Sequence, residues 1–210
     1  MAFFRAIPWC AAHLAARPNL VIEQALSRRL GQGPGDTLVS RTLNTPETVG
    51  AYVVFYERPR ASASSPAAGL ITQVQSLIAL GPQLNGWPGI CHGGVVATLL
   101  DEVMGQIFAL NRAHGLLAPP PVMTAYLNTR FERPVRTGPG TGPLTGTGTG
   151  RAKNGEGDDG HGEGEGVVLV TARLVRNEGR KYWVEADVRG REGEVLATGE
   201  ALFIMLREKL

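Results

Sequence analysis

The chain has 210 residues, 43% of them hydrophobic and 19% charged, with a net charge of +2. That balance suits one well-packed globular core and gives no electrostatic case for nucleic acid or a membrane surface as partner. Two cysteines, Cys10 and Cys91, make neither a disulfide framework nor a metal pattern, and no run of about 18 apolar residues offers a bilayer span.

The N-terminal stretch MAFFRAIPWCAAHLAARPNL is basic and free of acids until Glu23. It has some character of a mitochondrial transit peptide. The preferred reading is a short helix, AIPWCAAHLAA, started by Pro8 in its first turn and held on the core by Ile7, Trp9 and Leu14. A reducing, cytoplasmic compartment is then expected. Residues 2–30 read as helical pieces broken at Arg17-Pro18-Asn19, so residues 1–36 are expected to form a helical extension packed on a domain at 37–210. GQGPGD at 31–36 is a turn cluster. TLVSRTL and VGAYVVFYER are strand-like runs parted by NTPET, and the second is apolar on both faces, as a strand covered on both sides would be. A surface loop follows at 58–69. LITQVQSLIAL (70–80) fits strand or helix, and residues 81–91 are irregular, dense in Gly and Pro.

Residues 93–110, GGVVATLLDEVMGQIFAL, predict a long helix, with Val96, Leu99, Leu100, Val103, Ile107 and Leu110 at spacings of three and four. Gly105 in its middle costs about 1 kcal/mol against Ala, which a close approach by another backbone would explain. VMTAYLNTRFERPVR (122–136) alternates as a strand, with Pro134 near its end. Three further strands form a meander after residue 166, turning at Asn177-Glu178-Gly179 and Arg191-Glu192-Gly193. Between them, twelve of the thirty residues at 137–166 are Gly. No phosphate-loop register fits there, and Asp158-Asp159-Gly160 lacks the spacing of a calcium loop, so a disordered insertion in a hairpin connection is expected. The fold class is therefore α+β: an antiparallel sheet of about five to six strands wrapped around one long helix, with an N-terminal helical segment.

The helix raises a chemical question, because it opens on His92-Gly93-Gly94 and carries an acid, Asp101, two turns in. Its free backbone N–H groups lie at the positive end of the helix dipole, and glycine lets a ligand oxygen come close, so this end can hold an oxyanion. Asp101 lies seven residues beyond Gly94, roughly 10 Å away at 1.5 Å per residue. One carbonyl cannot meet both. Two copies of the helix meeting antiparallel would bring the Gly94 of one beside the Asp101 of the other, with Ala97, Thr98 and Gly105 permitting close approach.

HGGVVATLLDEVMG followed by VMTAYLNTRFERPV resembles the hotdog-fold acyl-CoA thioesterases, in the PaaI-like branch that includes the mammalian thioesterase-superfamily members. The likeness is close over 70–136 and one of pattern over 167–206. It implies a hotdog fold, a homodimer or dimer of dimers, an acyl-CoA or acyl-carrier-protein thioester as substrate, and no metal or cofactor. It further implies that Gly94 N–H, with Gly93 beside it, binds the thioester carbonyl. Asp101 from the partner chain would serve as general base or nucleophile, Thr124 would orient the water, and His92 would shape the turn. Some relatives place an Asn or Gln where Gly86 stands here; Asn85, one step earlier, is the candidate substitute. Arg133, before Pro134, is a candidate substrate contact.

Plainer readings exist beside these. Glu102 reads as simply exposed, and Trp87 and Trp183 as packing rather than acyl pocket. Arg130, Arg133 and Arg136 fit either coenzyme A phosphates or a solvated strand end. A Cys91-His92 dyad is disfavoured, since neighbours in extended chain point apart. His114 and His161 stand without ligand partners at metal spacing. The sequence therefore predicts an acyl thioester hydrolase. A non-catalytic acyl-thioester or lipid-binding module is the main alternative, and a hydratase, which wants a His base, has little support.

Overall fold

The computed structural model describes residues 1–16, 18–29, 37–57, 69–118, 120–141 and 164–207. The turn cluster at 31–36, nearly all of the loop at 58–69, Asp158-Asp159-Gly160, His161 and most of the Gly-rich insertion lie outside them.

The chain begins with helices α1 (Ala2–Arg5) and α2 (Pro8–Ala15), the second started by Pro8 in its first turn. Then come β1 (Leu20–Gln24), β2 (Val49–Glu57), β3 (Gln73–Leu80) and the short pair β4 (Asn85–Trp87) and β5 (Ile90–Cys91). Helix α3 (Gly93–Ala113) is followed by β6 (Val122–Phe131), β7 (Val167–Glu178), β8 (Lys181–Arg189) and β9 (Val195–Met205). Seven strands form one sheet in the order β1-β2-β3-β7-β8-β9-β6, antiparallel throughout, and β4 and β5 form a separate hairpin.

Two local expectations are corrected. Residues 20–24 form a strand, not part of a helix: Leu20 and Ile22 pack into one core and Val21 into the other, the period-2 alternation of a strand. That strand accounts for a sheet of seven strands rather than five or six. Because β1 occupies the free edge of β2, TLVSRTL has no ladder to join, and Leu38–Thr42 coil into a π-helical turn instead.

The sheet separates two hydrophobic cores. On one face α3 buries Val96, Leu99, Leu100, Val103, Met104, Ile107 and Leu110 against β3, β7, β8 and β9. On the other, Phe4, Ile7, Cys10 and Leu14 of the N-terminal helices cover Val53, Phe55, Leu77 and Leu169. This is why β2 is apolar on both sides. Burial of a side chain such as Phe4 or Leu14 is worth about 1.5–3 kcal/mol each. Among the described residues α3 alone is long and apolar enough, at a mean hydropathy of 1.4, to cross a bilayer by composition. It is not an unbroken apolar run, since Asp101, Glu102 and Arg112 interrupt it, and its apolar stripe faces the sheet as that of a core helix does.

Strand β6 lies at the sheet edge and carries a bulge between Thr124 and Tyr126. The extra residue shifts the alternation, so that Val122 and Thr124 face α3 before it and Leu127 and Phe131 after it. The same strand thereby reaches both ends of the candidate site.

Candidate active site

The N-terminus of α3 is closed by its own cap. His92, in extended conformation, accepts the Gly94 N–H at its imidazole Nδ1 at 2.9 Å, while its carbonyl takes the N–H groups of Val95 and Val96. A neutral His92 therefore keeps its proton on Nε2. Of the four N–H groups that a helix start leaves without an intrahelical acceptor, only that of Gly93 finds none among the described residues. Gly94 N–H, expected from the sequence to meet the carbonyl, is thus engaged by His92 Nδ1, and the open N–H at the helix start is that of Gly93.

Gly93 borders a cleft of about 350 Å³ that is also lined by Ile90, Cys91, Val96, Phe131 and Arg133. A Cβ on Gly93 would stand 3.3 Å from the Phe131 ring, tight enough that the ring would have to give. A side chain here would thus crowd the mouth of the cleft against the Phe131 ring.

Asp101 is half-buried on α3, and its Oδ1 accepts the hydroxyl of Thr124 at 2.8 Å. Thr124 stands just before the bulge in β6, on the side that faces α3. Oδ2 has no partner among the described residues. Within one protomer, then, the fold brings Asp101 to Thr124 and His92 to the two glycines, but leaves the pairs at different turns of one helix. Asn85 stands apart from the cleft: its Oδ1 accepts the hydroxyl of the buried Thr137 at 2.6 Å, which leaves its amide nitrogen to donate. Thr137 escaped sequence reading, since nothing in TGPGTG distinguishes a buried threonine from loop.

The three arginines part company. Arg133 lines the cleft and Arg136 is exposed beside it, whereas Arg130 lies on the outer face of the sheet. There Arg173 and Arg189 both grip Asp187, at 2.7 and 2.5 Å. Glu102, read as exposed, is half-buried, with Ser27 and Gln106 donating to its Oε1. Burial, with Glu102 nearby, pushes the Tyr52 phenol well up. Trp87, read as packing, is 71% exposed, while Trp183 is half-buried beneath the Arg176 guanidinium at 3.6 Å. His114 is not isolated: its Nε2 lies 2.6 Å from Tyr56 Oη, which donates to Glu23 at 2.9 Å. Burial pushes the Cys91 thiol up to about 11, and its one polar contact among the described residues is the His92 carbonyl rather than the imidazole. Among the described residues no three His, Cys, Asp or Glu side chains gather as metal ligands.

Comparison with known proteins agrees with this architecture. The Thioesterase superfamily pattern matches residues 88–142, the stretch from the β4–β5 turn through α3 and β6. Verlamelin biosynthesis protein B of Lecanicillium is 38% identical over 179 residues, covering 83% of this chain and 74% of that protein. The bovine acyl-coenzyme A thioesterase THEM4 is 33% identical over 129 residues, which span 60% of this chain and 38% of the bovine one. A phenylacetic acid degradation-related protein of Ralstonia eutropha shares the fold at a TM-score of 0.50 and 18% identity, over 86% of this chain and 96% of that one. With a central helix in a wrapped antiparallel sheet and a relative matched along most of its length, the chain belongs to the thioesterase superfamily of hotdog-fold thioester hydrolases.

Proposed function

We propose that this member hydrolyses acyl-CoA thioesters at two composite sites of a homodimer. The observation that carries the reading is the pairing of a half-buried carboxylate, Asp101, with the Thr124 hydroxyl, on the helix whose start leaves the Gly93 N–H open. Asp101 lies eight residues from Gly93, roughly 12 Å along the helix, too far to serve one carbonyl within a protomer. The Asp101 of a second copy supplies what the first cannot.

In this mechanism the thioester carbonyl docks against Gly93 N–H at the positive helix end, with Gly94 and the His92 cap fixing that N–H in place. Thr124 occupies one lone-pair direction of Asp101 and directs the other oxygen at water. As water attacks, Asp101 takes its proton, and the negative charge on the carbonyl oxygen develops against Gly93 N–H. Collapse expels the thiolate, which recovers the proton from Asp101. The products are a carboxylic acid and a free thiol, and each atom of water is accounted for. Arg133 in the cleft lining is a contact for the thiol-bearing half.

The test is thiol release from short, medium, long and aromatic acyl-CoAs, with Asp101→Asn alongside. Turnover of at least one of them is expected, reduced by about 10²–10⁴ in the variant; an Asp101→Asn protein with full activity sinks the proposal. A second reading, an acyl-thioester-binding module without turnover, draws on Gly86, which has no side-chain amide to polarise a carbonyl, and on Asn85 lying outside the cleft. Tight acyl-CoA binding with no thiol release would favour it.

A further inference from the structure

The hairpin β4–β5 presents an indole with no evident packing duty. Trp87 is 71% exposed, more than any other large hydrophobic side chain among the described residues. A solvent-facing tryptophan on a floppy loop would mean little, but this hairpin is pinned. Gly86 is pressed so close to the helix start that a Cβ would lie 2.9 Å from the Cα of His92. His92 N–H reaches Leu84 O at 2.8 Å, Cys91 N–H reaches Val135 O at 2.8 Å, and Thr137 N–H reaches Gly89 O at 3.1 Å. The turn itself uses Gly89 at φ +71°, a conformation other residues rarely adopt.

The strand pairing aligns three side chains in a row. Trp87 pairs with Ile90, and Ile90 bridges to Arg136. Residues directly opposite one another across antiparallel strands point to the same face, so an indole, an aliphatic side chain and a guanidinium lie side by side, spanning about 10 Å over two strand spacings. The register shift after Asn85 turns Asn85 toward Thr137 on the other face and leaves this row clear. Arg136 and neighbouring Arg133 are exposed, and neither has a carboxylate partner among the described residues. Ile90 belongs to both the row and the cleft that holds Gly93.

We propose that Trp87, Ile90 and Arg136, with Arg133, seat the nucleotide end of a coenzyme A thioester. The purine stacks on the indole over Ile90 and the ribose phosphates meet the two guanidinium groups. An indole face takes a nucleobase, and a planar guanidinium takes phosphate through paired N–H donors. A phosphopantetheine arm on a carrier protein has the phosphate but no purine, so the row makes this chain a reader of coenzyme A itself. The assignment rests on the acyl thioesterase reading above and adds Trp87, Ile90 and Arg136 to Arg133 on the solvent side of its cleft.

Binding can be read without turnover, which keeps the two proposals separable. Titration of the full chain with adenosine 3′,5′-bisphosphate is expected to quench tryptophan fluorescence. In Trp87→Ala the quench disappears although Trp9 and Trp183 remain, and in Arg136→Ala the affinity falls about tenfold, as for loss of a phosphate contact. Pantetheine 4′-phosphate gives no quench. In the hydrolase assay Trp87→Ala raises KM for the acyl-CoA about tenfold at unchanged kcat, while the matching acyl-pantetheine thioester shows no change. No quench by the bisphosphate, or an equal quench in Trp87→Ala, overturns the proposal. So does a change in sedimentation on Trp87→Ala, which would mean a second copy of the chain covers the indole. A protein that binds the bisphosphate at Trp87 yet hydrolyses nothing defeats the hydrolase reading alone.

Discussion

At the scale of single residues, the candidate chemistry depends on which lone pair and which N–H are already spoken for. His92 uses its Nδ1 on Gly94, which leaves the Gly93 N–H open, and Thr124 uses its hydroxyl on Asp101 Oδ1, which leaves Oδ2 open among the described residues. Hydrogen bonds to a charged acceptor are worth about 1.5–3 kcal/mol. Thr124→Val is therefore expected to lower kcat by roughly 10- to 100-fold while KM and thermal stability hold, because Thr124 is exposed and only the carboxylate's aim is lost. Thr124→Ser should restore most of the rate. If Val and Thr turn over alike, the bond to Asp101 has no part in the reaction. The His-Gly-Gly start, the acid and the threonine are all recognisable in sequence, because short polar motifs survive in linear form. Which glycine N–H is free is not, since it follows from an imidazole rotamer.

The central helix shows the same division at the level of the element. Its hydrophobic stripe is plain in the sequence, as is the meander, whose turns place Gly179 and Gly193 at positive φ. The two elements misread, at 20–24 and 38–42, are five residues long each. Runs that short take their state from the strand edge available to them rather than from propensity. Gly105 is the informative residue on α3. A Cβ there would meet nothing within 4 Å in the protomer, so the close backbone approach expected from sequence is not made inside one chain. Gly105→Ala should add about 1 kcal/mol of helix stability to an isolated protomer. In the proposed dimer it should instead crowd the second helix and shift the sedimenting species toward monomer. A higher melting temperature with no change in mass would remove Gly105 from any protomer contact.

Over the whole molecule, the two cores each hold one thiol. Cys10 sits in the core beneath the N-terminal helices and Cys91 in the core beneath α3, and burial pushes them up to about 12 and about 11 from an ordinary 9.0. Above pH 9 the unfolded chain releases these protons first, so it binds fewer protons than the native state and stability falls as pH rises. The contribution is complete below pH 9 and is lost progressively as pH passes through 11 and 12. Melting curves between pH 8 and 11.5 should show a steeper decline for the native sequence than for Cys10→Ala. Parallel slopes would mean that Cys10 ionises as freely folded as unfolded.

Strand β3 ends in a small clasp with a wider consequence. Leu80 donates its N–H to the Gly166 carbonyl and accepts the Gly138 N–H at its own carbonyl, both at 2.8 Å. The two ends of the glycine-rich stretch are thus buttoned to one residue, side by side, before β7 begins. In evolutionary terms the clasp is a neutral port: chain can be gained or lost beyond Thr141, itself tied to the Pro46 carbonyl at 3.1 Å, and before Gly164, while the strands on either side keep their partners. Lineages sharing this fold can differ freely in length at that point, and what is added there answers to selection on its own.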